Sequence, residues 1–298
     1  MGGLLRQGKR ALKFGVIDAE RAQFDVTVLC RVFGVRRSSF YAWVKRPESR
    51  HDSEDRRLKG LIQDIHHKSR GCYGSPKVTH GLKKLGERIS EKRVARLMRE
   101  EGLRGKIRRR RYCPAASKAN SPADNILNRE FSAPAPNTHW VVDTTYLKVE
   151  GRYAFLAVVL DLFSRAIVGW SLSRVNDTKL VATALNDAVA KRKPKSGLLH
   201  HSDQGSPYTS GEYRKLLEQL RMVSSMSRPG ACLDNAAMES WFRLLKAELG
   251  SSFANMNQAR VELFDFIEVF YNRERIHSSL RYLTPAEFER SAERKVAA

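Results

Sequence analysis

Four cysteines in 298 residues leave little scope for thiol chemistry, and their placement leaves less. Cys30, Cys72, Cys113 and Cys232 are scattered with no CxxC pair, so local spacing cannot build a zinc knuckle, and reduced thiols in a reducing compartment are expected. The adjacent pairs His66-His67 and His200-His201 lack the i, i+4 spacing that puts two imidazoles on one helix face. Long apolar runs are also missing. The longest, YAFLAVVL, stops at Asp161, too short to span a bilayer, and MGGLLRQGKRALKFG has basic residues without the apolar stretch of a signal peptide. These absences predict a cytoplasmic protein with no membrane partner.

Acidic charge is scarce too, at 32 Asp+Glu against 54 Lys+Arg, a formal +22. A globular chain that basic usually meets a polyanion. The imbalance is uneven: residues 1–112 hold 30 basic and 12 acidic side chains, and residues 113–298 hold 24 and 20. The first third therefore reads as a nucleic-acid-binding region, and the remainder as a nearly neutral globular one.

Four stretches follow: a helix-turn-helix-like segment (1–50), a basic helical module (51–112), a linker (113–135) and a globular core with C-terminal helices (136–298). In VTVLCRVFGVRRSSFYAWVKRP, two helices flank a turn at Gly34, the second starting near Ser38 or Ser39. Val28, Leu29, Val32, Val35, Phe40 and Trp43 are the expected small core. The start of a second helix in such a motif faces the major groove, which nominates Arg36, Arg37, Ser38 and Ser39 as DNA contacts. An αα-hairpin of this size also occurs in proteins that never touch DNA.

In the basic module, YGSPKVTHGLKKLG reads as a helix entered through Pro76 and left at Gly86. ISEKRVARLMREEGLRG reads as one capped by Ser90 and stopped at Gly102. Val94, Leu97 and Met98 form the apolar stripe of the latter, leaving Arg93 and Arg96 for phosphates. KIRRRR, with Arg108, Arg109, Arg110 and Arg111, is a phosphate-binding arm, a linker, or both. Residues 113–135, rich in Pro, Ala, Ser and Asn, suit a hinge.

Beyond it the pattern becomes mixed. THWVVDTTYLKVE, GRYAFLAVVLDLFS and RAIVGWSLS are strand-like runs with short breaks, which predicts an antiparallel meander. A helix capped by Asp177, the strand GLLHHSD, the helix SGEYRKLLEQL and the strand MVSSMS follow. The order β-β-β-α-β-α-β, then helices, predicts an α/β ribonuclease-H-like mixed sheet. Asp143 and Asp203 are expected at the ends of the first and fourth strands, which are neighbours in that layout. Glu239, thirty-five intervening residues after Asp203, opens a long amphipathic helix. Three carboxylates brought to one point repel by several kcal/mol, so such a cluster implies a divalent cation.

HHSDQGSPYTS, SRPGACLDNAAMES, FRLLKAEL and YNRERIHSSLRYLTPAEF together resemble the OrfB-type transposases of the bacterial insertion sequence three family, whose catalytic core is similar to that of retroviral integrases. The likeness spans roughly residues 24–290. It implies a DDE transposase in which Asp143, Asp203 and Glu239 are the catalytic, metal-binding acids. It also implies two Mg²⁺ or Mn²⁺ ions about 4 Å apart, and DNA as substrate at the element's terminal repeats and at the target. Water would first free a 3′-hydroxyl, which would then attack another phosphodiester, through a bridged or circular intermediate and without a covalent protein-DNA bond. The partners implied are a homo-oligomer on DNA and the product of an upstream reading frame, and the location implied is the bacterial nucleoid. Two alternatives remain: a non-catalytic DNA-binding relic or regulator, and a nuclease of ribonuclease H type, which would not need the basic modules.

Helix geometry tests the third acid. At about 100° per residue, Lys246 lies about 20° and Arg243 about 40° from Glu239, which puts both cations beside the site as candidate DNA contacts. An ordinary surface lysine fits Lys246 as well. Glu248 points about 180° away, with Trp241 and Leu244, and reads as structural and ion-paired. Gly205 and Ser206 read as the turn after Asp203, His200 and His201 as space-filling, and Asn235 or Asp234 as the helix cap. Asn272, Arg275 and His277 are flagged by the resemblance, although packing and capping explain them equally.

Overall fold

The run from His139 to Val149 is rich in β-branched and aromatic residues and alternates buried with open positions in its second half, and it forms the strand β1. The computed structural model describes residues 2–45, 49–106, 123–228 and 232–296. The chain divides into two units, Met1–Gly60 and Leu61–Ala298.

In the first unit, α1 (Gly2–Glu20), α2 (Val26–Val32) and α3 (Arg37–Val44) enclose Phe14, Ile17, Leu29, Cys30 and Phe40. Asp25 caps α2 by accepting from the Thr27 amide at 2.7 Å, and Gly34 takes the left-handed conformation (φ +63°) that the turn requires. One expectation fails here. Val28 and Val32 are 52% and 73% exposed, because α2 turns Leu29 and Cys30 inward and leaves the face four residues apart outside. The second helix starts at Arg37, with Arg36 at the cap position and no side-chain cap bond.

Helix α4 spans Arg50–Lys68, and α5 (Ser75–Lys84) and α6 (Glu91–Glu100) follow it in the chain. Their ends are as expected: Pro76 lies in the first turn of α5, Ser90 caps α6 through the Arg93 amide, and Gly86 and Gly102 have φ of +89° and +68°. Val94, Leu97 and Met98 are buried.

The sheet order is β3 (Ile167–Ser173), β2 (Arg152–Asp161), β1, β4 (Leu199–Ser202), β5 (Val223–Met226), with β6 (Ser252–Phe253) beside the far end of β1. Strands β1, β2 and β3 form the antiparallel meander, turning at Glu150 and Gly151, both with positive φ. Strands β4 and β5 join β1 in parallel. This is the ribonuclease-H-like arrangement.

Helix α7 (Thr178–Arg192), capped by Asp177, packs on β2 and β3, and Gly169 permits the approach: a Cβ there would sit 2.3 Å from the Ala184 carbonyl oxygen. With the short α8 (Ser206–Thr209) and α9 (Gly211–Gln219), α7 buries Trp140 and Val142 on one face of the sheet. Helix α10 (Ala236–Glu248) contacts β1, and its Lys246 reaches Thr145, which by strand alternation belongs to the opposite set from Trp140 and Val142. Helix α11 (Met256–Phe264) continues as a π-helical stretch, Asp265–Glu274, before α12 (Pro285–Val296).

Of the expected linker, residues 113–122 lie outside the described residues. Residues 123–135 lie against the sheet: Ile126 and Leu127 amides donate to Ser225 Oγ, and Leu127 is buried. Within the second unit, the turn between α4 and α5 is tied to the C-terminal part by Arg70 with Asp265 (2.6 Å) and by the Ile276 amide donating to Tyr73 Oη (2.9 Å).

Candidate active site

Parallel pairing of β1 with β4 sets the site. Its last matched pair is Val141 with His201, and two residues further on each chain stand Asp143 and Asp203. Asp203 directly follows β4, as expected. Asp143 does not end its strand: β1 runs on to Val149, because its outer half stays paired to β2 and meets β6.

Each aspartate is held by one oxygen. The Thr144 amide donates to Asp143 Oδ1 at 2.7 Å, and the Gly205 amide donates to Asp203 Oδ1 at 2.9 Å. A Cβ on Gly205 would lie 3.0 Å from that same Asp203 oxygen, which explains a glycine there without invoking strain. Burial, then repulsion by Asp203 and more weakly by Glu239, pushes the Asp143 carboxyl up to about 8. Burial also raises Asp203, against the Gly205 hydrogen bond.

Among the described residues, no three His, Cys, Asp or Glu side chains are close enough to hold a metal ion as they stand. The two aspartates nevertheless suit a hard divalent cation, because such an ion relieves the repulsion that raises Asp143. Glu239 stands in the first turn of α10, near enough to raise the Asp143 carboxyl through charge repulsion.

The approach to α10 is built on Asp234, which sequence reasoning treated only as a possible cap. Its fully buried carboxylate accepts from Asn125 Nδ2 (2.9 Å), Arg129 Nε (2.6 Å) and Arg228, the last through its backbone amide and guanidinium. Arg228 first, and then Arg129, hold it well below the usual carboxylate range, a stabilisation present above the ordinary Asp range and lost as pH falls below it. Asn235 does occupy the helix-cap position, but it makes no side-chain cap bond; its Nδ2 donates to the Val142 carbonyl instead, pinning α10 to β1. We expect Asp234→Asn to melt below the wild type at neutral pH, with the gap narrowing as pH falls below the ordinary Asp range, because only the wild type carries the stabilisation that protonation removes. Equal melting temperatures at neutral pH would remove Asp234 from the role of holding this segment.

Lys246 donates to Thr145 Oγ1 at 2.8 Å and lies 4.6 Å from the Tyr146 ring centre, two to three residues along β1 from Asp143. Arg243 is partly exposed on the same helix. Arg36, Arg37, Ser38 and Ser39 are exposed. Arg93 is half-buried, and Arg96 is paired with Glu100 at 2.7 Å. Arg108, Arg109, Arg110 and Arg111 lie outside the described residues.

Glu248 is structural, as its angle predicts: it forms a two-pronged pair with Arg275, both side chains almost fully buried. Asn272 exchanges hydrogen bonds with the Ile167 backbone, and His277 packs edge-on against Tyr271. His200 and His201 are buried and hydrogen-bonded to Tyr213 and to Ser225 and Ser227, and burial lowers them to about 3 and about 4.

Family models agree with this reading of the fold. Two described as integrase core domains match residues 133–232 and 220–285, and one described as an HTH-like domain matches residues 53–111. The sheet, its connections and these matches define an integrase-core protein. Among curated relatives, the insertion element IS600 uncharacterized 31 kDa protein of Shigella sonnei is 39% identical, covering 87% of this chain and 97% of its own. The transposase InsF for insertion sequence IS3A of Escherichia coli K12 is 35% identical, covering 93% and 98%. The chain belongs to the insertion sequence IS3 family of transposases. Among solved structures, the simian T-cell lymphotropic virus intasome in complex with the PP2A regulatory subunit B56 gamma aligns over 78% of this chain and 74% of its own, at 17% identity and TM-score 0.45. The HTLV-2 integrase catalytic core domain in complex with magnesium aligns over 52% and 98%, at 17% and 0.38. Among the described residues, no helix is long and apolar enough to cross a membrane.

Proposed function

We propose that this transposase performs metal-dependent 3′-end cleavage and strand transfer at the ends of its element, with Asp143, Asp203 and Glu239 holding two Mg²⁺ or Mn²⁺ ions. The observation that carries the reading is the β1–β4 register, which brings Asp143 level with Asp203, with Glu239 near enough to act on Asp143. When bound, the ions would activate the attacking oxygen and stabilise the leaving one.

The chain's own residues do the positioning. The Thr144 and Gly205 amides each occupy an Oδ1, which leaves Oδ2 of each aspartate for ligation. Lys246, fixed by Thr145 and Tyr146, supplies positive charge beside the acids where a DNA phosphate would pass, with Arg243 further along the same helix. Water and then the freed 3′-hydroxyl are the nucleophiles, and no side chain becomes joined to DNA. The working form is an oligomer on DNA ends, joined by the upstream-frame product of the element, in the bacterial nucleoid. The test is incubation of purified protein with labelled element ends, with and without Mg²⁺: a 3′-hydroxyl nick at the end requires the ion, and absence of any nick with it sinks the reading.

The first 112 residues supply sequence-independent grip, with Arg36, Arg37, Ser38 and Ser39 at a groove and Arg93, Arg96 and the 108–111 arginines on phosphates. Arg36→Ala with Arg37→Ala in the full chain should flatten the dependence of log affinity on log salt by about one for each phosphate contact removed. Arg96→Ala should flatten it less, since Glu100 already neutralises that guanidinium. An unchanged slope in the double variant would move the contact elsewhere.

A further inference from the structure

A cavity of about 310 Å³ lies beside α10, lined by cations, hydroxyls and an aromatic wall but by no carboxylate. Lys77 of α5, Arg165 of the β2–β3 turn and Arg275 contribute the positive charge. Their charges are not equally available. Glu248 neutralises Arg275 from behind. Arg165 donates to the Phe131 carbonyl and has no carboxylate in ion-pair contact among the described residues; the oxygens of nearby Asp161 accept from the Asn137 and Phe163 amides instead. Trp241, which also lines the cavity and is 2% exposed, has an indole Nε1–H that is buried with no hydrogen-bond partner.

A half-buried guanidinium whose nearby carboxylate, Asp161, makes no ion-pair contact with it, and a buried indole donor without an acceptor, are both costly, and an anionic oxygen ligand in the cavity would relieve the first and offer an acceptor for the second. Ser240, Ser278 and Ser279 add hydroxyl donors around the same space. We infer that this cavity is a phosphate-binding pocket, separate from the carboxylate site, recognising a phosphate through Arg165, Lys77 and the Trp241 indole. Tetrahedral phosphate suits donors that converge from several directions better than a planar carboxylate does. Lys77 falls within the HTH-like match and Ser240 follows Glu239 on α10, so a DNA strand seated here would touch the HTH-like domain and the catalytic helix at once. The proposed DNA chemistry bears only on the source of the phosphate, which is either a DNA phosphodiester or free phosphate.

The test uses the full chain and the exposed or half-exposed lining residues, Ser279→Asp to place a carboxylate at the mouth and Lys77→Gln to remove a cation, with Ser279→Ala as control. Inorganic phosphate should raise the melting temperature of the wild type and of Ser279→Ala saturably, beyond sodium chloride at equal ionic strength, and both other variants should lose that response. Duplex affinity then assigns the source. A fall of about fivefold in both Ser279→Asp and Lys77→Gln gives the pocket to a DNA phosphodiester, and unchanged affinity gives it to free phosphate. A wild type with no saturable phosphate response overturns the inference. Loss of cleavage in Asp143→Asn is read separately, so failure of the pocket and failure of the catalytic assignment are distinguishable.

Discussion

Asp143→Asn removes metal-dependent cleavage and strand transfer by about a thousandfold or more while leaving duplex affinity within about twofold, and Asp203→Asn and Glu239→Gln do the same. The expectation follows from charge. Each substitution keeps shape and removes one anionic ligand, so ion affinity falls while the basic surfaces that grip DNA are untouched. A second readout checks the physics without DNA. With its carboxyl pushed up to about 8 from an ordinary 3.8, Asp143 binds a proton in the folded state that the unfolded chain has released. Its contribution to stability is complete below about pH 4 and is lost as pH rises toward 8. Metal-free Asp143→Asn should therefore melt higher than wild type at pH 8, with the gap closing at pH 4. Full cleavage by any of the three variants would sink the triad, and a lower melting temperature for Asp143→Asn at pH 8 would sink the crowding argument.

Arg275→Met should destabilise the protein by about 3–5 kcal/mol, since it strands the Glu248 carboxylate in a site where both partners are almost fully buried. Replacing both, Glu248→Met with Arg275→Met, should recover most of that loss, because no charge is then left without its partner. Chemical denaturation of the three proteins measures both effects. If the double variant is as unstable as Arg275→Met, the loss comes from packing and not from the stranded charge. If Glu248→Gln alone abolishes cleavage in a normally folded protein, Glu248 and not Glu239 is the third acid.

Much of the second unit was legible because short-range rules govern it. Pro76, Gly86, Ser90 and Gly102 bound two helices through local backbone preferences, and these hold in the structure. The meander and the later strands were readable from period-two patterns and turns. Val28 and Val32 show where such reading ends. Both faces of α2 are apolar, so periodicity could not tell which one the neighbouring helices would cover. Asn235 was readable as a cap by residue type, yet its amide goes to Val142, ninety-three residues away in sequence.

The sequence by itself determined the kinds of chemistry available: three acids in strand and helix settings, a basic first third, and the exclusion of Glu248 by helical angle. Tertiary structure alone decided which groups share a point. Parallel pairing of β1 with β4 set Asp143 level with Asp203, and Asp234 gathered Asn125, Arg129 and Arg228 to hold the approach to α10. The reason is range. Backbone preference and helical angle act within a few residues, whereas burial and Coulomb repulsion act through space, and only the folded sheet specifies which distant carboxylates must repel.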